Sequence, residues 1–267
     1  MRHVVPIGDP GDERIAAYRD VRERDLRRRD DLVVAEGKVV LAALLASRDF
    51  EAVSALILRE RLDGCRAILS DAPEDLPVYV ADRPVMDAIA GFPIHRGVLA
   101  LARRRTPPDP AGLLAGADVA VVGCNIANHD NAGAILRNAS AFGASCVLFD
   151  ETSCDPLYRK AIRVSAGAAF SVPHARGGTI VELIDAAVEA GLRPLSLSPS
   201  GGRSLRDAVD AAPTALLLGT EGEGLPRPVL DRTLTARIPM RAGHDSVNVA
   251  VASAIALYEL AEVRARP

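Results

Sequence analysis

Five polar residues in three separated stretches have the types and spacing for chemistry on a bound ligand. They are Asn131 and Arg137 in NHDNAGAILRNASAFG, Glu221 in LLLGTEGEGLP, and Ser246 and Asn248 in IPMRAGHDSVNVAVASAIALYEL. A carboxylate, a hydroxyl and two amides can orient a substrate, while a guanidinium in an otherwise apolar stretch must find an anion or reach solvent. Each also has a plainer explanation when taken alone. Asn131 reads as a helix cap, Arg137 as a surface arginine, GTEGEG as a turn, and Ser246 with Asn248 as a capping pair for the last helix.

The glycine loop narrows the ligand. Its order is G-x-x-G-x-G, which differs from the dinucleotide G-x-G-x-x-G, and neither GK[ST] nor a G-x-S-x-G elbow occurs in the chain. Glu221 and Glu223 would repel a diphosphate, so a neutral or cationic ligand is better accommodated. S-adenosylmethionine, with its sulfonium and no phosphate, fits that sign. Cys65, Cys124, Cys146 and Cys154 show no CxxC spacing and no histidines at ligand intervals. They predict buried free thiols and no metal site.

The elements that position these residues alternate in the manner of an α/β protein. With 267 residues, 49% of them hydrophobic, the chain can form two moderate cores. DLVVAEG, VSALILR and GVLALAR read as strands and VVLAALLAS and RPVMDAIAG as helices, which makes residues 1–105 a small α/β unit. Residues 15–31 are charge-rich and read as a helix, either solvated or facing RNA. RRRTPPDP, residues 103–110, breaks the pattern and reads as a linker. From 111 to 267 the strands DVAVVGCNI, SCVLFD, LRPLSLS and LLL alternate with the helices NAGAILRNASAFG and TIVELIDAAVEAG and with a buried helix from 247 to 260. That alternation predicts a parallel sheet covered on both faces. Leu216 to Leu218 read as a buried strand ending at Gly219, where open α/β sheets bind ligands.

The formal net charge of −3 excludes the footprint of a strongly basic nucleic-acid binder, so any such partner needs a local patch. Lys38 and Lys160 are the only lysines, and arginine, which grips phosphate bidentately, supplies the rest of the positive charge. There is no apolar core of signal-peptide length and no run of about eighteen apolar residues. The expectation is a cytoplasmic protein without a membrane partner.

In combination, the three stretches resemble the signature of the SpoU/TrmH family of RNA ribose 2'-O-methyltransferases, of the SPOUT class. Asn131, Gly133, Ile135, Arg137 and Gly143 match its first motif, and Gly219, Glu221, Gly224 and Leu225 match its second. Ile238, Pro239, Met240, Gly243, Ser246, Asn248, Val249 and Ala252 match its third. Val247 stands where leucine is common and Asn128 where aspartate is frequent. RKAIRVSAGAAFSVP looks like the family's connecting segment, and the first domain resembles, more weakly, its substrate-binding domain of ribosomal-protein type.

The resemblance implies a deep trefoil knot in the carboxyl-terminal domain and S-adenosylmethionine held by Leu218, Gly219, Gly224, Ile238, Met240 and Val247. It implies a homodimer through that domain, with the last helix in the interface and Arg137 completing the site beside the partner's cofactor. Arg137 would act on the reacting hydroxyl, with Asn131, Glu221, Ser246 and Asn248 orienting arginine and substrate. Arg159, Lys160 and Arg163 are the expected RNA contacts. Ribosomal RNA is the expected substrate, with transfer RNA, or a catalytically silent RNA-binding protein of the same fold, as alternatives.

Overall fold

The computed structural model describes residues 4–19, 32–90, 96–106 and 108–265. They form two compact units, the first of residues 1–107 with 157–171, the second of 108–156 with 172–267.

The first unit is built on a five-stranded sheet of β1 (Val4–Ile7), β2 (Leu32–Glu36), β3 (Phe50–Leu58), β4 (Val78–Ala81) and β5 (Val98–Arg104), in the order β1-β4-β3-β5-β2. β5 runs antiparallel to both β2 and β3, whereas β4 is parallel to β3 and β1 to β4. The carboxyl ends of β1 to β4 and the amino end of β5 therefore share one edge of the sheet. Leu56, Leu58, Leu99 and Leu101 pack with Ile15, Tyr18, Met86 and Ile89 in its core.

Three elements here escape the pattern reading: β1, β4 and the helix Leu62–Ser70. The two strands have only four residues each, too few for alternation to register. Of the charge-rich span 15–31, read as a helix, the described part begins within a 3-10 helix at Glu13–Tyr18, capped by the Asp12 carboxylate on the Arg14 N–H. Residues 20–31 lie outside the described residues.

A larger correction concerns residues 157–171, expected in the second domain. Their helix, Arg159–Val164, packs with the first unit. Arg159 Nη1 donates to the buried Glu36 carboxylate at 3.1 Å, and Ser47 Oγ donates to the Phe170 carbonyl at 2.6 Å. The Phe170 ring meets Phe50 edge-on at 4.9 Å between centroids. A buried carboxylate needs such a partner, and an aromatic pair adds about 1 kcal/mol beyond its burial.

The second unit carries seven strands, β6 (Val119–Gly123), β7 (Cys146–Phe149), β8 (His174–Arg176), β9 (Arg193–Leu197), β10 (Arg203–Ser204), β11 (Thr214–Leu218) and β12 (Leu234–Arg237). All pair in parallel in the order β10-β12-β9-β11-β6-β7-β8, which agrees with the expected parallel sheet. All five residues of β6 and of β11 are buried, as befits central strands covered on both faces. Helix Ile180–Glu189 begins with a complete capping box between Thr179 and Glu182. Helix His129–Phe142 ends at Gly143 in the left-handed conformation, φ 71°.

The last helix, Val249–Ala265, lies against His129–Phe142. Asn138 Nδ2 ties the two together by donating to the Ala250 carbonyl at 2.7 Å and to Ser253 Oγ at 2.8 Å. Val249, Ala256, Leu257 and Leu260 are buried, but Val251 and Tyr258 remain 49% exposed. Within one chain, then, this helix covers one face only. The helix also starts two residues later than its apolar pattern suggested.

All four cysteines are free. Burial, joined by the adjacent Asp150 carboxylate, pushes the Cys124 thiol up to about 12, and burial pushes Cys146 and Cys154 to about 11. Because thiolate is the reactive form, Ellman's reagent at pH 8 should react with the native protein about 100-fold more slowly than with the denatured chain. The shifts are upward, so native thiols keep protons that unfolded ones release. Their contribution to stability is complete below about pH 8.5 and is lost as pH rises towards 11 to 12. The urea midpoint should accordingly be lower at pH 10 than at pH 8.

Candidate active site

The carboxyl ends of β9, β11 and β12 open into one cavity of about 650 Å³, closed on its remaining side by residues 246–249 and Ala252. Leu218, Gly219, Gly224, Ile238, Met240 and Val247, the six expected cofactor contacts, all line it. So do Glu221, Ser246 and Asn248. The lining contains two carboxylates, Glu221 and Glu223, and no lysine, arginine or histidine.

One wall is the loop after β11, and backbone packing shapes it. A Cβ placed on Gly219 would stand 2.3 Å from the Gly224 carbonyl carbon and 2.4 Å from the Leu225 nitrogen. The loop thus folds back onto its own first residue, and the Gly224 N–H donates to the Thr220 carbonyl at 3.1 Å. A further stretch of the lining, Leu197 to Ser200 at the end of the neighbouring strand β9, was missed by sequence reasoning. SPSGG after an apolar strand was its signal. Gly201 packs there against β12, where a Cβ would stand 2.4 Å from the Ala236 carbonyl carbon.

Three of the five chemical residues meet. Glu221 Oε1 accepts from Asn131 Nδ2 at 3.0 Å and from Asn248 Nδ2 at 2.6 Å. Asn248 Nδ2 also donates to Asn131 Oδ1 at 3.0 Å, while Asn248 Oδ1 accepts from the N–H groups of Ala250 and Val251. One asparagine therefore caps the last helix and anchors the carboxylate. Hydrogen bonds to an ionised acceptor are about twice as strong as neutral ones, so this set holds the glutamate in one orientation. Asn131 itself is not the cap of its helix. That role falls to Asn128, whose Oδ1 accepts from the Asp130 N–H at 2.9 Å, and Asn131 in the first turn is buried and reaches across to Glu221.

Arg137 does not join them. It is exposed, absent from the cavity lining, and has no hydrogen-bond or ionic partner among the described residues. Six residues along a helix rotate a side chain by about 240°, so Arg137 points away from the Asn131 side. Ser246 lines the cavity without a hydrogen bond to any other described residue. Of the expected RNA contacts, Arg159 is occupied by Glu36, Arg163 is half-buried and Lys160 is exposed, all three in the first unit. No cluster of three or more His, Cys, Asp or Glu side chains suited to a metal ion occurs among the described residues, and no described helix is long and apolar enough to cross a membrane.

Comparison with known proteins places this arrangement. Residues 118–258, which carry the cavity and all three motifs, match the model of the SpoU rRNA Methylase family. The chain is 38% identical over 270 residues to a tRNA/rRNA methyltransferase of Mycobacterium bovis, itself described as uncharacterized, covering 96% of this chain and 91% of that one. Its fold is similar to the AdoMet-bound rRNA methyltransferase of Sinorhizobium meliloti, with TM-score 0.78 and 24% identity over 97% of this chain and 98% of that one. It is also similar to a solved RNA 2'-O ribose methyltransferase, with TM-score 0.77 and 25% identity over 97% and 99% of the two chains. The protein belongs to the SpoU rRNA Methylase family.

Proposed function

We propose that the protein transfers a methyl group from S-adenosylmethionine to a ribose 2'-hydroxyl in RNA, ribosomal RNA before transfer RNA, and that it does so as a homodimer. The observation that carries this is the cavity, walled by backbone loops and lined by carboxylates without a cation. A phosphate-bearing cofactor would find no counter-charge there, whereas a sulfonium ligand meets a favourable sign. Family membership and the likeness to a solved RNA 2'-O ribose methyltransferase support the choice of RNA and of the ribose oxygen.

The chain's own residues divide the work. Leu218, Gly219, Gly224, Ile238, Met240 and Val247 hold the cofactor, which when bound supplies an electrophilic methyl group. Asn131 and Asn248 hold Glu221, and with Ser246 they orient the substrate. Arg137 stabilises negative charge on the reacting oxygen, since a guanidinium is a poor base but a strong fixed donor. Its exposure and its lack of a partner among the described residues fit delivery to a second copy's cavity, through an interface that covers Val251 and Tyr258. A threaded, knotted path of the carboxyl-terminal chain belongs to the same proposal. Lys160 and Arg163 contact RNA phosphates, while Arg159 holds its helix on the first unit.

The protein incubated with tritiated S-adenosylmethionine should label ribosomal RNA more than transfer RNA. Digestion to nucleosides should return the label as a 2'-O-methylnucleoside. Label on a base, or none in either RNA, overturns the assignment.

A further inference from the structure

The first unit carries a cluster of cations that the proposed chemistry does not use. At the sheet edge where β2 and β3 end and β5 begins stand Lys38, Arg59, Arg61 and Arg96, with Arg83 just after β4. The acids there are already taken. Arg59 pairs with Asp82 at 2.6 Å, Arg83 with Glu60 at 3.5 Å, Arg66 with Asp63 at 2.7 Å, and Glu36 is held by Arg159. Lys38, Arg61 and Arg96 are exposed and have no anionic partner among the described residues.

Two glycines seat these side chains. A Cβ on Gly37 would stand 3.0 Å from Arg96 Cδ and 3.1 Å from its Nη1, and a Cβ on Gly97 would stand 3.1 Å from Arg61 Cγ. Both glycines have positive φ, 105° and 64°, and the strands are locked around them by Gly37 N–H to the Val98 carbonyl and Leu58 N–H to the Gly97 carbonyl, each 2.8 Å. The arginine stems thus lie on glycine backbone, which limits the entropy lost when the guanidinium groups bind. Lys38 and Arg61 both counter the upward push that burial exerts on the Cys65 thiol, so both charges lie within electrostatic reach of that one side chain. Strands β3, β5 and β2 are neighbours, about 5 Å apart, so the chain segments that carry Arg61, Arg96 and Lys38 leave the sheet side by side across about 10 Å of backbone. That spread suits successive phosphates of a chain better than one small anion.

We propose that Lys38, Arg61 and Arg96 form a phosphate-binding corner through which the first unit grips the backbone of the RNA substrate. It rests on the RNA-directed function proposed above. The corner fixes the position of the RNA without reading its sequence.

The test is fluorescence polarisation with labelled fragments of bacterial ribosomal RNA and, separately, unfractionated transfer RNA, over a salt series. K38E/R61E/R96E should weaken binding at least about tenfold at low salt and make the slope of log affinity against log salt shallower by about two to three. The neutral variant K38Q/R61Q/R96Q should shift both in the same direction by less, and it decides the matter if the acidic variant misfolds. R232E, which breaks a surface pair with Asp185 in the second unit, should bind as the wild type does. S-adenosylmethionine affinity, measured by calorimetry, should be unchanged in all of them. Wild-type affinity and slope in both triple variants overturn the corner and leave the enzyme assignment standing. A wild-type protein that binds S-adenosylmethionine but neither RNA overturns both.

Discussion

Replacing Arg137 by alanine is expected to lower kcat for methyl transfer at least about 100-fold while leaving S-adenosylmethionine affinity within about twofold. The split follows from geometry. Arg137 neither lines the cavity nor bonds to any described residue, so its removal disturbs neither the cofactor walls nor the Asn131–Glu221–Asn248 set. What it removes is a donor for charge that develops only in the transition state, the kind of loss that appears in kcat. A mixed dimer locates the arginine. R137A and E221A subunits, each inactive alone, should regain about a quarter of wild-type activity on co-expression, because about half of random dimers pair the two variants and each such dimer holds one intact site of two. No recovery in a purified mixed dimer would place Arg137 outside the partner's site.

How much of this was legible in the sequence depends on how local each cause is. Leu216 to Leu218 ending at Gly219 could be read as a buried parallel strand because neighbours on both faces impose one apolar run. The stop at Gly143 depends on residues within one turn, so it was equally visible. The contacts of Glu221 were not, since its partners stand 90 residues before and 27 after it. Spacing carries no signal for that meeting; the family resemblance brought the three motifs together, and the hydrogen bonds give the physical reason. The placement of residues 157–171 failed for the same cause. Arg159 is held by Glu36, 123 residues away, and no local pattern separates an arginine that faces RNA from one that neutralises a buried carboxylate. Asn131 shows the converse: a plausible local role as a cap was displaced by a distant carboxylate, and its neighbour Asn128 took the cap.

The cofactor wall should be most sensitive where its own backbone is closest. Gly219→Ala is expected to weaken S-adenosylmethionine binding at least about tenfold, since an added Cβ 2.3 Å from the Gly224 carbonyl carbon forces apart two stretches of main chain that a side-chain rotation cannot relieve. The matching control is Gly222→Ala in the same loop. Nothing lies within 4 Å of a Cβ there, and the strain comes only from a φ of 92°. That substitution costs about 1 kcal/mol of conformational energy without splaying the wall. Calorimetric affinity beside the thermal midpoint separates the two effects. Gly219→Ala should lose affinity out of proportion to any loss of stability, and Gly222→Ala should lose little of either. Equal affinities for the two variants would mean that the contact between Gly219 and Gly224 does not shape the seat, and that the cofactor is held by Leu197 to Ser200 and by Ile238 and Met240.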